Sequence, residues 1–332
     1  MATSGSYDYS VTAANIITAA MEDIGMLDPG QTINSNDQAT CLRRLNFIAK
    51  QWQGKADMAQ GLKVHTRQRV TVFLAKNQNV YLVGPAASDN NATTTYGRTT
   101  LSAAEAAGQT VLSVTATTDT TTQPGTTVTM TGSDYIGIVQ TDGTLFWTTI
   151  VSTGAGTVTV TDALSVGAAS GAYVYWYTSK AQRFPHCEAA VLRNSDIVDI
   201  ALPRYTDVAQ YEQGISNKTQ TGDPINLLIE PIRLSTRVTT DFYPQDVTKQ
   251  LRLTVLYPAE DYDAITDDIA FPQEWFAALE WELALRVAPA FGVTWTPAMQ
   301  QNYAQATAIA RELNPENSSA YFQPDREEYQ YG

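Results

Sequence analysis

The sequence lacks most of the side-chain patterns on which enzymes depend. It has only two histidines, His65 and His186, and neither stands in a serine, cysteine or metal pattern. The phosphate-binding patterns G-x-x-x-x-G-K-S/T and G-x-G-x-x-G are missing as well. We therefore expect a protein that is not an enzyme and that holds no cofactor.

Cysteine is scarce, and long apolar runs do not occur. Cys41 and Cys187 show no CxxC or Cys/His spacing, which argues against a disulfide framework and against a zinc site. We interpret both as small buried apolar side chains. No run reaches about 18 apolar residues, and the first residues lack a basic segment followed by an apolar one. These absences predict that the chain has neither a membrane span nor a signal peptide. They also predict that it acts in a cytosol or in an assembled particle.

Basic residues are too few for a protein that grips nucleic acid. Charged residues make up 17% of the 332 residues, and the net charge is -13. Strong binding to a phosphate backbone needs clustered Lys and Arg. The abundant Thr, Ser, Ala and Gln instead suggest neutral polar surfaces packed into an assembly.

One acidic run offers oxygen ligands of the kind that Ca²⁺ or Mg²⁺ prefers. Its members are Glu260, Asp261, Asp263, Asp267 and Asp268. The run lacks the order of an EF-hand, and a glycosidase pair depends on a spatial separation that the sequence does not give. We interpret it as a solvated loop whose carboxylates favour the start of the following helix.

Helical periodicity marks both ends of the chain. Residues 11–25 place apolar side chains on one helical face, and Gly25 ends that helix. A second helix begins at Ser35 in the capping-box form and runs to Gly54, antiparallel to the first. Two more are predicted in the second half of the chain, after Phe271-Pro272 and after Thr296-Pro297.

Strand patterns fill the middle of the chain. Alternation at Val70–Leu74 and Val80–Leu82 predicts an antiparallel pair, and later strands are expected at 225–229 and 251–257. Between residues 88 and 179 the composition shifts to Thr, Gly, Ser and Val with few charges. Strands are predicted there at 110–114, 126–130, 135–140, 145–151, 157–160 and 173–177.

The predicted fold class is α+β. Residues 1–87 and 180–314 form a helical core with small antiparallel strands, and residues 88–179 form an inserted all-β module. Residues 315–332 form an extended C-terminal tail that carries Tyr321, Phe322, Tyr329 and Tyr331. Burying three of these rings gives at most about 11 to 19 kcal/mol, whereas ordering the segment costs roughly 25 kcal/mol. We therefore expect the tail to order only on a partner.

Four stretches carry a family resemblance through their order and spacing. They are Tyr9–Gly30 with its Ile-Gly-x-Leu-x-Pro-Gly turn, Cys41–Trp52, Thr221–Pro224 with Leu256–Pro258, and Ile269–Trp275 running into Leu283–Gly292. Together they resemble the head-to-tail connector adaptors of tailed bacteriophages, which include the tail accessory factor of P22-like viruses. The likeness covers the chain outside the β module, which the smallest adaptors lack.

The resemblance implies a structural role in a virion. Such adaptors form a ring, usually of twelve subunits, that docks on the portal protein and extends the DNA channel. They help retain packaged DNA and present the next tail component, a nozzle, tube or stopper. Double-stranded DNA then passes without specific binding, and an acidic channel wall favours that movement. The implied location is the head-tail junction, after assembly in the host cytoplasm, and the implied portal-binding element is the aromatic tail.

Two residue groups stay open to two interpretations. Arg43, Arg44 and Lys50 lie on the outer face of the second helix and either contact an acidic partner or form a solvated face. The module is rich in aromatic residues that form either its core or a sugar-binding platform, namely Trp147, Tyr173, Tyr175, Trp176 and Tyr177. The alternative functions are accordingly a virion surface protein that binds a receptor or glycan, or a virion-associated cell-wall hydrolase.

Overall fold

The computed structural model describes residues 9–54, 67–85, 91–123, 125–194, 198–215, 217 and 219–313. The chain folds into two units, residues 1–66 with 259–332 and residues 67–258. The first unit is helical and the second is built mainly of antiparallel sheets, so the mixed α+β class is confirmed. No helix in the described ranges is long and apolar enough to cross a membrane.

The division into units does not follow the predicted boundaries at residues 88 and 179. The strands on either side of the predicted module group with it, in residues 67–258, and not with the helices. Within that unit, the strands of residues 97–177 pair only with one another among the described residues. That residues 88–179 were inserted as a separately folding module stays a prediction.

Among the described residues, four helices build the first unit and a short one lies in the second. The four are α1 (Ala13–Asp23), α2 (Ser35–Gly54), α4 (Phe276–Val287) and α5 (Pro297–Leu313), and the short one is α3 (Val208–Gly214). A 3-10 turn stands at each end of α4, and α1, α2 and α5 all contact α4. The predicted helices are therefore confirmed, and α4 is the element that the others share.

Polar side chains cap the starts of α1 and α2. The Thr12 side chain accepts from the Asn15 backbone N–H at 3.4 Å and caps α1. The predicted cap of α2 was wrong by one residue, because Asn34 Oδ1 accepts from the backbone N–H groups of Asn36 and Asp37 at 3.0 and 2.9 Å. Ser35 is the first helical residue.

Large aromatic side chains fill the core of the helical unit. Trp52 and Trp275 are fully buried, with ring centroids 5.5 Å apart in an edge-on arrangement. The ring centroid of Phe271 lies 6.0 Å from that of Trp52. Because such rings each bury a large apolar area, this cluster stabilises the packing of α2 against the start of α4.

Two backbone carbonyls of the acidic loop cap the start of α1. The backbone carbonyls of Ile265 and Asp267 accept from the N–H groups of Ala14 and Ala13 at 2.8 and 2.9 Å. These are N–H groups of the first turn of α1, which have no partner within the helix. That the carboxylates of the run favour the start of the following helix, which begins at Gln273, stays a prediction.

In the described part of the second unit, the strands form four sheets. The five-stranded sheet has the order β13 (Val198–Ala201), β12 (His186–Asn194), β16 (Gln250–Leu256), β1 (Arg67–Phe73) and β3 (Ala92–Thr93). The six-stranded sheet has the order β4 (Gly97–Thr100), β11 (Tyr173–Tyr177), β8 (Tyr135–Val139), β9 (Leu145–Gly154), β10 (Thr157–Val160) and β5 (Val111–Ser113). A three-stranded sheet contains β14 (Leu227–Pro231), β15 (Thr236–Thr240) and β2 (Val80–Val83), and β6 (Thr118–Asp119) pairs with β7 (Val128–Thr129).

The strands β1 and β2 do not pair with each other, so that prediction was wrong. β1 pairs along its whole length with β16, from Arg67 opposite Leu256 to Phe73 opposite Gln250. β2 pairs with β15 in the three-stranded sheet. Each strand finds a better partner far along the chain than its neighbour in sequence.

The aromatic residues of β11 join the five-stranded and six-stranded sheets. Tyr175 and Tyr177 are buried against Phe73 of β1, with centroid distances of 5.1 and 6.1 Å. Trp176 points to the other side, where its indole covers Gly97 of β4 so closely that a Cβ there would lie 2.1 Å from the ring. Only glycine allows that approach.

Candidate functional site

A shallow groove on the helical unit brings together basic and apolar side chains. Its cavity of about 420 Å³ lies between α2 and the C-terminal end of α4. The lining residues are Arg43, Arg44, Phe47, Leu285, Arg286 and Pro289. We call this surface the arginine groove.

The α2 wall of the groove follows from helical spacing. Arg43 and Phe47 stand four residues apart and therefore lie on one face of the helix. Both are exposed, and Phe47 keeps 58% of its surface accessible. An exposed aromatic ring beside guanidinium groups is a common feature of protein interaction surfaces.

The α4 wall is fixed by a buried polar network. Arg286 donates from Nε and Nη2 to Glu282 Oε1 at 2.8 and 2.7 Å. The other oxygen of Glu282 accepts from the Tyr303 hydroxyl at 2.6 Å. Burial and the neighbouring Glu282 carboxylate raise the pKa of Tyr303 to about 12, so the hydroxyl stays a donor. Glu282 is thereby paired on both oxygens, and Arg286 is held in one orientation.

Arg44 connects the two walls. Its Nη1 donates to the backbone carbonyl of Arg286, in the last turn of α4. The last carbonyls of a helix lack intrahelical partners and carry the negative end of the helix dipole. The guanidinium of Arg44 therefore gives a hydrogen-bond donor to a carbonyl at the end of α4, and it also lines the groove.

The electrostatics of the groove differ from those of the chain as a whole. Three guanidinium groups stand against one buried carboxylate, Glu282, while the chain carries a net charge of -13. A positive groove with an exposed ring selects an acidic segment that also contains aromatic residues. The arrangement suits recognition and offers no nucleophile or general base.

Sequence reasoning found two of the groove residues and missed the others. Arg43 and Arg44 were singled out as candidate contacts on the outer face of α2, and both line the groove. Phe47 carried a signal in its spacing from Arg43, but an isolated Phe at helical spacing is usually buried. Leu285, Arg286 and Pro289 come from a helix more than 200 residues away, so only the fold brings them there.

The third candidate contact, Lys50, lies outside the groove. Its ammonium group donates to the Ala259 carbonyl and lies 2.8 Å from Asp261. Asn46, on the same helix, donates to the Tyr262 carbonyl at 2.9 Å and accepts from the Tyr262 N–H at 2.8 Å. Lys50 and Asn46 thus bind the acidic loop to α2.

Other predicted residues are spread over the molecule. Tyr321, Phe322, Tyr329 and Tyr331 of the tail, and His65, lie outside the described residues. His186 is exposed at the start of β12. Cys41 and Cys187 are free and buried, which confirms their interpretation as apolar side chains. Burial raises the pKa of each thiol to about 11.

The acidic loop does not gather its carboxylates around one point. Asp267 accepts from the N–H groups of Asp263 and Ala264 at 2.8 Å each, and Asp261 contacts Lys50. In the described ranges, no group of three His, Cys, Asp or Glu side chains is placed to hold a metal ion.

The aromatic residues of the β module form its core. Tyr175, Trp176 and Tyr177 are buried, so for these three the core interpretation is confirmed. The rings of Trp147 and Phe73 pack with their centroids 5.1 Å apart. The guanidinium carbon of Arg98 lies over the Tyr173 ring, 5.0 Å from its centroid. A sugar-binding platform needs exposed rings, so the buried members do not favour one.

Neither a protein-family model nor a curated protein sequence matches this chain. The groove therefore has to be interpreted from its own chemistry.

Proposed function

We propose that this chain is a structural head-to-tail adaptor of a tailed bacteriophage. Copies of it form a ring under the portal protein, extend the DNA channel, help retain the packaged DNA and attach the next tail component. The observation that carries the proposal is the arginine groove, a positive and partly apolar docking surface on a strongly acidic chain. The acidic charge also suits a channel past which DNA moves without being gripped.

The occupant of the groove is the tail of a neighbouring copy. Residues 316–332 contain Glu316, Asp325, Glu327 and Glu328 with one arginine, and four aromatic residues stand among them. This composition complements three arginines and an exposed Phe. A tail that needs a partner to become ordered finds ready-made contacts there. The tail then lies at the seam between the portal and the adjacent adaptor, and Tyr321, Phe322, Tyr329 and Tyr331 supply its contacts.

Co-sedimentation with assembled portal tests the proposal. The intact chain should sediment with the portal, and deletion of residues 316–332 should reduce that binding while far-UV circular dichroism keeps its helical signal. The double variant Arg43→Glu/Phe47→Ala should reduce binding in the same way. Ile309→Ala on α5 removes an exposed apolar side chain outside the groove and should have no effect.

The combination of deletion and groove variant distinguishes a shared contact from two separate ones. If the tail occupies the groove, the combined variant loses no more binding than the stronger single change, because both remove one interaction. Additive losses would assign tail and groove to different partners. Failure of the intact chain to bind assembled portal would refute the adaptor function itself.

A further inference from the structure

The five-stranded sheet carries an arginine cluster on the face opposite its apolar core. Leu251 and Leu253 of β16 point into the core, so Arg252 between them points to the other face. In the strand register, Arg252 lies opposite Thr71 of β1 and Val191 of β12.

Two more arginines flank Arg252 on that face. Arg69 stands two residues before Thr71 on β1, and Arg193 stands two residues after Val191 on β12. Such diagonal neighbours in a sheet are about 7 to 8 Å apart, within reach of arginine side chains. The register therefore places Arg69 and Arg193 on opposite diagonals of Arg252, each within reach of its side chain.

Arg252 is buried without the partner that a buried cation needs. Only 7% of its surface is exposed, and its Nε has no hydrogen-bond partner in the part of the chain that the structure describes. Burial lowers the pKa of the guanidinium and the charges of Arg193 and Arg69 lower it further, while Tyr96 and Asp199 oppose this shift in part. A buried charge is usually paired, because its desolvation is costly.

The nearby acidic groups do not neutralise the cluster. Asp199 of β13 binds Arg193 through both of its oxygens, with Nε and Oδ1 2.5 Å apart. Glu188 pairs with Arg67, at the end of β1. Arg252 and Arg69 themselves form no ion pair with a described residue.

We infer that this face binds a phosphate group through Arg252, with Arg69 and Arg193 beside it. A phosphate group brings negative charge to Arg252 and Arg69, which form no ion pair with a described residue. The planar guanidinium fork also fits the oxygens of a phosphate. The site is separate from the arginine groove and does not depend on the adaptor function.

The test uses the full chain and inorganic phosphate. Phosphate should raise the thermal midpoint relative to chloride at equal ionic strength, because a ligand of the folded state stabilises it. Arg252→Met should abolish this shift and should not lower the midpoint in chloride, since an apolar side chain replaces an uncompensated buried charge. Arg237→Met is the matched control, because Arg237 lies on the three-stranded sheet and pairs with Glu230. It should keep the full shift.

A second variant keeps the test decisive if Arg252→Met fails to fold. Arg252→Lys retains the charge but loses the fork, so its affinity for phosphate should fall about tenfold or more in titration calorimetry. Unchanged affinity in this variant, or no phosphate shift in the intact chain, would overturn the inference. A short DNA duplex distinguishes the source: competition with inorganic phosphate assigns the site to backbone phosphates, and its absence assigns it to free phosphate or a monoester.

Discussion

One acid in the β unit, Asp119, and one in the helical unit, Glu280, are held in opposite charge states by their neighbours. In the β unit, Asp119 accepts from the N–H groups of Arg98 and Thr121 at 2.8 Å each and from the N–H of Thr122 at 3.2 Å. Burial alone would raise its pKa, but these hydrogen bonds outweigh burial and lower the pKa of Asp119 to about 2. The carboxylate is therefore stabilised in its charged form.

In the helical unit, two carboxyl groups face each other. Asp23 at the end of α1 and Glu280 of α4 lie close enough to raise the pKa of Glu280, and Glu22 adds negative charge nearby. Burial and the Asp23 charge raise the pKa of Glu280 to about 7, so Glu280 keeps a proton that it would lose in the unfolded chain. The lesson is that the neighbours of a buried acid, N–H donors or a second acid, decide its charge.

The largest expected effect comes from removing the acceptor in the β unit. Asp119→Ala leaves three backbone N–H groups without their partner, and we expect it to lower the free energy of unfolding by about 3 kcal/mol. Asp119→Asn keeps one acceptor oxygen and should cost less. Urea unfolding of both variants measures the difference, and equal losses would mean that the oxygen retained in Asn does not replace the carboxylate.

The change of stability with pH that Glu280 contributes should have the opposite sign to the change that Asp119 contributes. The folded chain holds the Glu280 proton between about pH 4.5 and 7, while the unfolded chain has released it, so stability falls as pH rises through this window. For Asp119, stability is present above about pH 3.8 and is lost as pH falls toward 2.

Glu280→Gln isolates the helical contribution. It should remove the loss between pH 4.5 and 7 and raise the free energy of unfolding at pH 8 by about 1 to 2 kcal/mol, a value reduced for the partial exposure of the group. Glu274→Gln, on the exposed turn before α4, is the control and should keep the slope. A slope that persists in Glu280→Gln would assign it to other groups.

Local patterns predicted the elements well where one face is apolar. The six strands predicted in the β module and the four long helices lie within a few residues of their predicted positions, whereas β4 and β6 were not predicted. β12 escaped prediction for a physical reason. A bulge between Cys187 and Ala189 shifts its register and breaks the alternation.

β15 was missed because its buried residues are polar. Thr236 is buried, and its hydroxyl donates to the Phe184 carbonyl at 2.6 Å. Thr240 is buried as well and donates to the Phe242 carbonyl at 2.7 Å. These hydrogen bonds make threonine acceptable in a core, yet they are invisible to a search for apolar alternation.

The sites depended still more on tertiary structure. Arg43 could be placed on an outer helix face from spacing, but its combination with Arg286 depends on α2 packing against α4. The cluster around Arg252 depends on the pairing of β1 with β16 across more than 170 residues. Nothing in a single sequence fixes such a register.

The smallest expected effect concerns neutral acceptors in the helical unit. Asn34 Oδ1 accepts from two N–H groups at the start of α2, as the Asp119 carboxylate does in the β unit, but the amide carries no charge. Asn34→Ala should therefore cost about 1 kcal/mol, the usual value for an N-cap. Ser35→Ala is the matched control, because no side-chain hydrogen bond joins Ser35 to a described residue, and it should change stability by a few tenths of a kcal/mol at most. Urea unfolding followed by helical circular dichroism compares the two. A larger loss for Ser35→Ala than for Asn34→Ala would move the cap to Ser35, where the sequence pattern alone had placed it.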